Sequence, residues 1–136
     1  MPAGYSKRTL VEKLGIKPDV KVAILNPPDG YDRTLGPLPG GVQRVASVRG
    51  PLDFIQFFTV DRKELERRFP VLARALRDDG ALWVSWPKGG SGVRTDVNEN
   101  VAREVGLANG LVDVKVCAVD EIWSGLKFVR RLRDRG

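Results

Sequence analysis

The chain has no histidine and a single cysteine. Without histidine there is no Ser-His-Asp triad, no Cys-His pair and no histidine-ligated metal. Asp, Glu, Lys, Tyr and Cys remain as general acids and bases. Cys117 has no partner for an internal disulfide, which fits a reducing compartment. No apolar run approaches the length of a membrane span. Met1 to Thr9 carries Lys7 and Arg8 but no apolar signal region. These absences predict a cytoplasmic protein with no membrane contact and no metal site.

What is present reads as one α/β domain over residues 1–136, long enough for a sizeable core. Val20-Lys21-Val22-Ala23-Ile24-Leu25 has the length and apolarity of a buried strand. The pattern predicts a short helix over Thr9–Leu14 closed by Gly15, and a helical turn within Asp29–Leu35. A second strand is expected over Val42–Val48, and a third, rich in aromatic and β-branched residues, over Asp53–Val60. Asp61 and Glu64 read as a capping box, opening a helix that Pro70 should kink or divide and Asp78-Asp79-Gly80 should stop. Ala81–Trp86 is the fourth strand. Asp96 and Glu99 read as the cap of a further helix lined by Val97, Val101 and Val105. Leu111–Val119 and Leu126–Leu132 are the last two strands, joined by a turn at Asp120–Gly125. Helical crossovers suit parallel neighbours and a short turn suits antiparallel ones. The expectation is a Rossmann-like, mostly parallel sheet of about six strands with the last strand antiparallel.

In a nucleotide-binding sheet of that kind, a glycine-rich turn should follow the first strand. Asn26-Pro27-Pro28-Asp29-Gly30-Tyr31 stands there instead. The prolines remove N–H donors and fix φ where a phosphate cradle needs free backbone. No cofactor is expected.

Parallel sheets place ligands at the carboxyl ends of their strands. That rule gathers Asn26, Asp29, Thr59, Ser85, Trp86, Lys88, Asp120, Trp123 and Ser124 on one rim. The best local pattern is Lys88-Gly89-Gly90-Ser91-Gly92-Val93-Arg94-Thr95-Asp96. Its glycines permit turning backbone whose N–H groups converge on an anion, and a helix start and two cations favour negative charge. The expected anion ligands are Lys88, Gly89, Gly90, Ser91 and Arg94. The alternative is a mobile turn whose Asp96 satisfies the helix donors. Trp83 and Trp86, three apart on a strand, should point to opposite faces as core residues. Trp123 covers the sheet end or walls a pocket, and Cys117 is a small core residue. Asp120 and Glu121 are either paired carboxylates or a solvated turn.

The net charge is +6, with a local cluster at Lys127, Arg130, Arg131, Arg133 and Arg135. A solvated strand edge and terminus explain it better than nucleic-acid binding, because no aromatic residues are interleaved for stacking.

The order Asp53–Val60, helix, Asp79-Gly80-Ala81-Leu82-Trp83-Val84, helix, Gly110-Leu111-Val112-Asp113-Val114 and a final strand ending Lys127-Phe128-Val129-Arg130-Arg131 resembles the second half of S-adenosylmethionine (SAM)-dependent methyltransferases. Leu82-Trp83-Val84-Ser85-Trp86-Pro87-Lys88, with Asp113 to Gly125, is similar to a family of short bacterial proteins, which implies a fold and no activity. The methyltransferase pattern places an acidic residue and a Gly-x-Gly turn after the first strand, and a ribose-binding acid after the second. Here Asn26-Pro27-Pro28 and Ser47-Val48-Arg49-Gly50 replace them, and the middle is short by about one strand–helix unit. Asn26-Pro27-Pro28 also resembles the Asn-Pro-Pro-aromatic motif of nucleic-acid amino-methyltransferases, but Asp29 holds the aromatic position and Tyr31 is displaced by two. The expectation is a degenerate methyltransferase-like protein that binds an anionic small molecule or a protein partner at the rim. A divergent methyltransferase and a nucleic-acid-associated protein are the alternatives.

Overall fold

In the computed structural model, which describes residues 8–135, six strands form one sheet. They are β1 (Lys21–Leu25), β2 (Gln43–Val45), β3 (Leu52–Phe58), β4 (Leu76–Pro87), β5 (Leu111–Ala118) and β6 (Trp123–Arg130), in the order β2-β1-β3-β4-β6-β5. The first four run parallel, and β6 lies antiparallel between β4 and β5. Helices α1 (Leu10–Leu14) and α2 (Tyr31–Leu35) pack on one face, and α3 (Arg62–Ala75) and α4 (Glu99–Ala108) on the other. This is the expected single α/β domain.

Strand alternation divides the core. Ile55, Phe57, Leu82, Val84, Trp86, Leu126 and Phe128 face α3 and α4. Val22, Ile24, Phe54, Phe58 and Trp83 face α1 and α2. Trp83 and Trp86 therefore point to opposite faces, both buried, and Cys117 is buried with the Trp83 side. Burial pushes the Cys117 thiol pKa up, which leaves it a poor nucleophile.

Several boundaries differ from expectation for identifiable reasons. β2 has only three residues, because Gln43 and Arg44 are exposed and little burial rewards extending it. α3 runs through Pro70 as one helix rather than dividing. The proline forfeits about 3 kcal/mol, while burying Leu65, Phe69 and Leu72 returns roughly 1.5–3 kcal/mol each. Asp78, Asp79 and Gly80 lie inside β4 rather than stopping the helix. Gly80 is there for space, since a Cβ would sit 2.9 Å from the Asp53 carbonyl oxygen. What ends α3 is Arg130, whose Nη2 donates to the Ala73 and Leu76 carbonyls at 2.5 and 2.9 Å. The basic cluster is consequently not a strand edge. Lys127 and Arg130 belong to an inner strand, and β5 forms the edge.

α4 lies against β6 with Gly106 at the contact. A Cβ there would stand 2.5 Å from Phe128 Cδ1 and overlap the ring further. Phe128 is fully buried and stacks edge-on to Phe69, with centroids 5.4 Å apart, so it has nowhere to move. Gly106→Ala should therefore destabilise by about 1–3 kcal/mol despite the better helix propensity of alanine. Urea unfolding checks this, and a stabilised variant would show that α4 is not seated as described.

Candidate functional site

The parallel strands end together at Leu25, Val45, Phe58 and Pro87, and β6 begins beside them, with Trp123 paired to Pro87. The sheet thereby brings Lys88, Asp120, Trp123 and Ser124 to one corner of the rim, with Ser85 and Trp86 buried beneath it rather than open on it. Asn26 and Asp29 sit at the end of β1, separated from that corner by β3. Two strand spacings make that roughly 10 Å. Both residues are exposed, and Asn26 takes a left-handed conformation with φ 54°.

The Lys88 loop is tied at both ends. Lys88 Nζ donates to the Asp120 carbonyl at 2.7 Å, and its backbone N–H to the Ile122 carbonyl at 2.8 Å. Gly89–Ser91 forms a 3-10 turn that Gly92 closes with φ 83°. Ser91 N–H donates to the Lys88 carbonyl, and Val93 N–H to Ser91 Oγ at 3.2 Å. Two of the N–H groups that would face an anion thus bond within the loop. Further along, Thr95 Oγ1 donates to the Val60 carbonyl at 2.7 Å. Arg94 is exposed, and no hydrogen bond or ion pair holds it among the described residues.

Asp96 does not cap α4. Its Oδ1 accepts the Arg62 N–H at 2.7 Å, so it caps α3 across the rim, and Asn98 caps α4 by accepting Val101 N–H at 2.9 Å. The side chain that starts a helix must sit at its N-terminus, and α4 begins at Glu99, two residues later than Asp96 predicted. Glu99 bonds Arg103 instead of closing a box. Asp61 caps α3 through Lys63 N–H, whereas Glu64 turns away to accept Thr59 Oγ1 at 2.7 Å.

The rim carboxylates are therefore largely spent on structure. Asp120 Oδ1 accepts the Ile122 and Trp123 N–H groups at 2.8 and 2.7 Å, fixing the turn into β6. Asp120 and Glu121 form no shared acid–base pair, since Glu121 is exposed and Asp120 faces its own turn. Trp123 is half-buried, with its ring 5.2 Å from that of Phe58 and nearly perpendicular to it. It walls the sheet end rather than forming a turn.

Sequence reasoning missed a buried polar chain beneath the rim. Tyr31 Oη donates to Gln56 Oε1 at 2.6 Å, and Gln56 Nε2 donates to Ser85 Oγ at 3.3 Å. Gln56 and Ser85 are fully buried. Burial pushes the Tyr31 phenol far above its usual pKa, so it stays protonated and bonded inward. Its ring packs on Phe58 at 4.7 Å and cannot stack on a base as the aromatic residue of an Asn-Pro-Pro motif would. The available signal was a glutamine amid the apolar run Phe54-Ile55-Gln56-Phe57-Phe58. Among the described residues no three His, Cys, Asp or Glu side chains cluster for a metal, and no helix is long and apolar enough to cross a membrane.

With this geometry the chain is similar to solved methyltransferases. A SAM-dependent methyltransferase from Aquifex aeolicus matches with TM-score 0.62 and 13% identity, over 88% of this chain and 86% of that one. Magnesium protoporphyrin IX methyltransferase from Synechocystis, with bound SAH, matches with TM-score 0.58 and 16% identity, over 90% and 78%. A ribosomal protein L11 methylase from Lactobacillus delbrueckii matches with TM-score 0.57 and 15% identity, over 90% and 75%. No protein-family model and no curated protein matches the chain. The likeness establishes a methyltransferase-like fold.

That fold implies SAM, and the residues present do not fit it. The turn after β1 presents Pro27 and Pro28, and Tyr31 is folded into the core behind them. β2 ends at Val45 and is followed by Ala46, Ser47, Val48 and Arg49, none of which can accept hydrogen bonds from a ribose as a carboxylate does. The chain then enters β3 without a further strand and helix.

Proposed function

We propose that this chain is a non-catalytic, methyltransferase-like domain of the bacterial cytoplasm, akin to the short bacterial proteins it resembles, and that it binds an anionic small molecule at the carboxyl ends of its strands. One observation carries the reading. Asp61, Asp96 and Asp120 hold backbone N–H groups and Glu64 holds Thr59, while the exposed Arg94 has no such tie among the described residues. The rim thus presents an untied cation and glycine backbone beside carboxylates that serve structure, with Asp29 and Glu121 open to water.

A partner protein on the same rim is the second reading, favoured by Val60, Val93 and Ile122, which are 41%, 42% and 43% exposed on the loops around it.

Arg94 and Lys88 separate ligand from structure. Arg94→Ala should leave the unliganded melting temperature unchanged and reduce the stabilisation by phosphate, sulfate or a nucleotide. Lys88→Ala should cost about 1 kcal/mol without any ligand, because it unties Asp120. A wild type that ignores every anion beyond a matched chloride control ends the small-molecule reading. An Arg94→Ala variant that responds like the wild type moves the site elsewhere.

A further inference from the structure

At the other end of the sheet, where β1, β3 and β4 begin, lies a cavity of about 290 Å³ lined by Gly15, Lys17, Asp53, Phe54, Asp79 and Lys127 among others. It is roughly 15 Å from the rim, the length of the five-residue β1. Lys127 is the odd residue. It projects from an inner strand onto the face that holds Trp83, in register with Trp83 on one side and Lys115 on the other. Its Nζ lies 3.7 Å from where a Cβ on Gly15 would be, half-buried beneath the end of α1. No carboxylate pairs with it among the described residues, and the charges acting on it are those of Lys115 and Lys17. Burial first, then those two lysines, lowers its pKa.

The two acids of the cavity are already engaged. Asp53 accepts Lys21 N–H at 2.8 Å and stands 3.3 Å from Arg77 Nε, which also lies 3.8 Å from Asp79. Lys115 Nζ donates to the Lys13 carbonyl. Lys127 and the exposed Lys17 are left as the ammonium groups of the cavity that no carboxylate contacts within ion-pair distance among the described residues, since Asp53 and Asp79 both lie beside Arg77. A half-buried ammonium on an inner strand, with two lysines nearby and no carboxylate in contact, is costly unless something negative completes it.

We propose that this cavity is a second, separate binding site for a small oxyanion of the phosphate type, held between Lys127 and Lys17. The volume is at the lower end for small-molecule sites and suits phosphate or a short phosphate monoester. The competing account is that Lys127 only complements the carboxyl end of α1.

The two accounts predict opposite signs for Lys127→Met. In phosphate-free buffer the variant should melt higher than the wild type if Lys127 awaits an anion, and lower if it props α1. With phosphate at ten times the cavity's dissociation constant, Arg94→Ala, which lacks the rim cation, should rise by roughly 4 °C or more, and adding Lys127→Met to it should remove that rise. Competitive acetylation read by mass spectrometry localises the effect. Phosphate should slow modification of Lys127 and Lys17 several-fold against chloride, with exposed Lys63 on α3 as the unaffected reference. Arg94→Ala should keep this protection, so failure here is distinct from failure of the rim reading. Unprotected Lys127, or a Lys127→Met that melts lower without phosphate, overturns the proposal.

Discussion

Replacing Trp83 with alanine should cost about 3–5 kcal/mol and lower the melting temperature by roughly 10 °C or more. The side chain is fully buried at the centre of the sheet. Its Nε1 donates to the Leu14 carbonyl at 3.0 Å, which ties α1 to β4 across 69 residues of chain. Gly125 on β6 leaves the room it needs, since a Cβ there would stand 3.1 Å from Trp83 Cε3. Loss of the indole therefore removes apolar contact, opens a cavity and strands a carbonyl that had a partner. Trp83→Phe separates these terms. The ring stays, the N–H goes, and the expected cost falls to about 1–3 kcal/mol. Chemical denaturation measures both. A loss under about 1 kcal/mol for the alanine variant would mean that α1 is not docked on the sheet through this residue.

The fold was legible wherever one periodicity ruled a segment. Phe54, Ile55, Phe57 and Phe58 supply apolar side chains to both faces of a strand, as a doubly covered parallel sheet requires, and the run was readable as such. Boundaries failed where tertiary burial outweighed local chemistry. Pro70 stayed within α3 because the residues around it are buried. Asp78-Asp79-Gly80 carries turn composition yet lies in β4, where Gly80 passes close to the Asp53 backbone. The position of β6 between β4 and β5 shows in its burial, with Gly125, Leu126 and Phe128 covered while the middle of β5 is exposed, but neither strand carries a motif for it.

The place of the rim residues along the strand ends was legible in part, and their bonding was not. Carboxyl-end geometry does bring Ser85, Lys88, Asp120 and Trp123 together. The partner of each polar group was beyond reach. Asp96 has the local context of a cap for the helix after it, and it caps the helix before it because the loop folds back over Val60. Lys88 looked like a ligand and is bonded to a carbonyl 32 residues away. Gln56 escaped notice because an isolated glutamine in a strand carries no motif, though burial without a partner would have been prohibitive and Tyr31 and Ser85 had to be near. In the sequence Lys127 groups with the terminal arginines, and only the sheet order separates it from them.

Titration with SAM should give no saturable heat at micromolar concentrations. Binding of that cofactor would leave its ribose and amino groups without the carboxylates that the methyltransferase pattern supplies after the first and second strands. Each unpaired polar group costs about 1–3 kcal/mol, so two such losses weaken binding by roughly two to four powers of ten. Asp29 and Asp32 are the acids that follow β1 and the candidates to substitute. Asp32 is drawn to Arg44 on β2, with Oδ1 at 2.8 Å from Nη1, so using it for a ligand means breaking that pair. Asp29 is exposed beyond two prolines, where water competes fully for its oxygens. Arg44→Ala releases Asp32 and tests the substitution directly. If Asp32 is a latent cofactor acid, the variant should bind SAM more tightly than the wild type. The expected result is silence in both. A micromolar constant in the wild type would return the chain to the catalytic members of its fold.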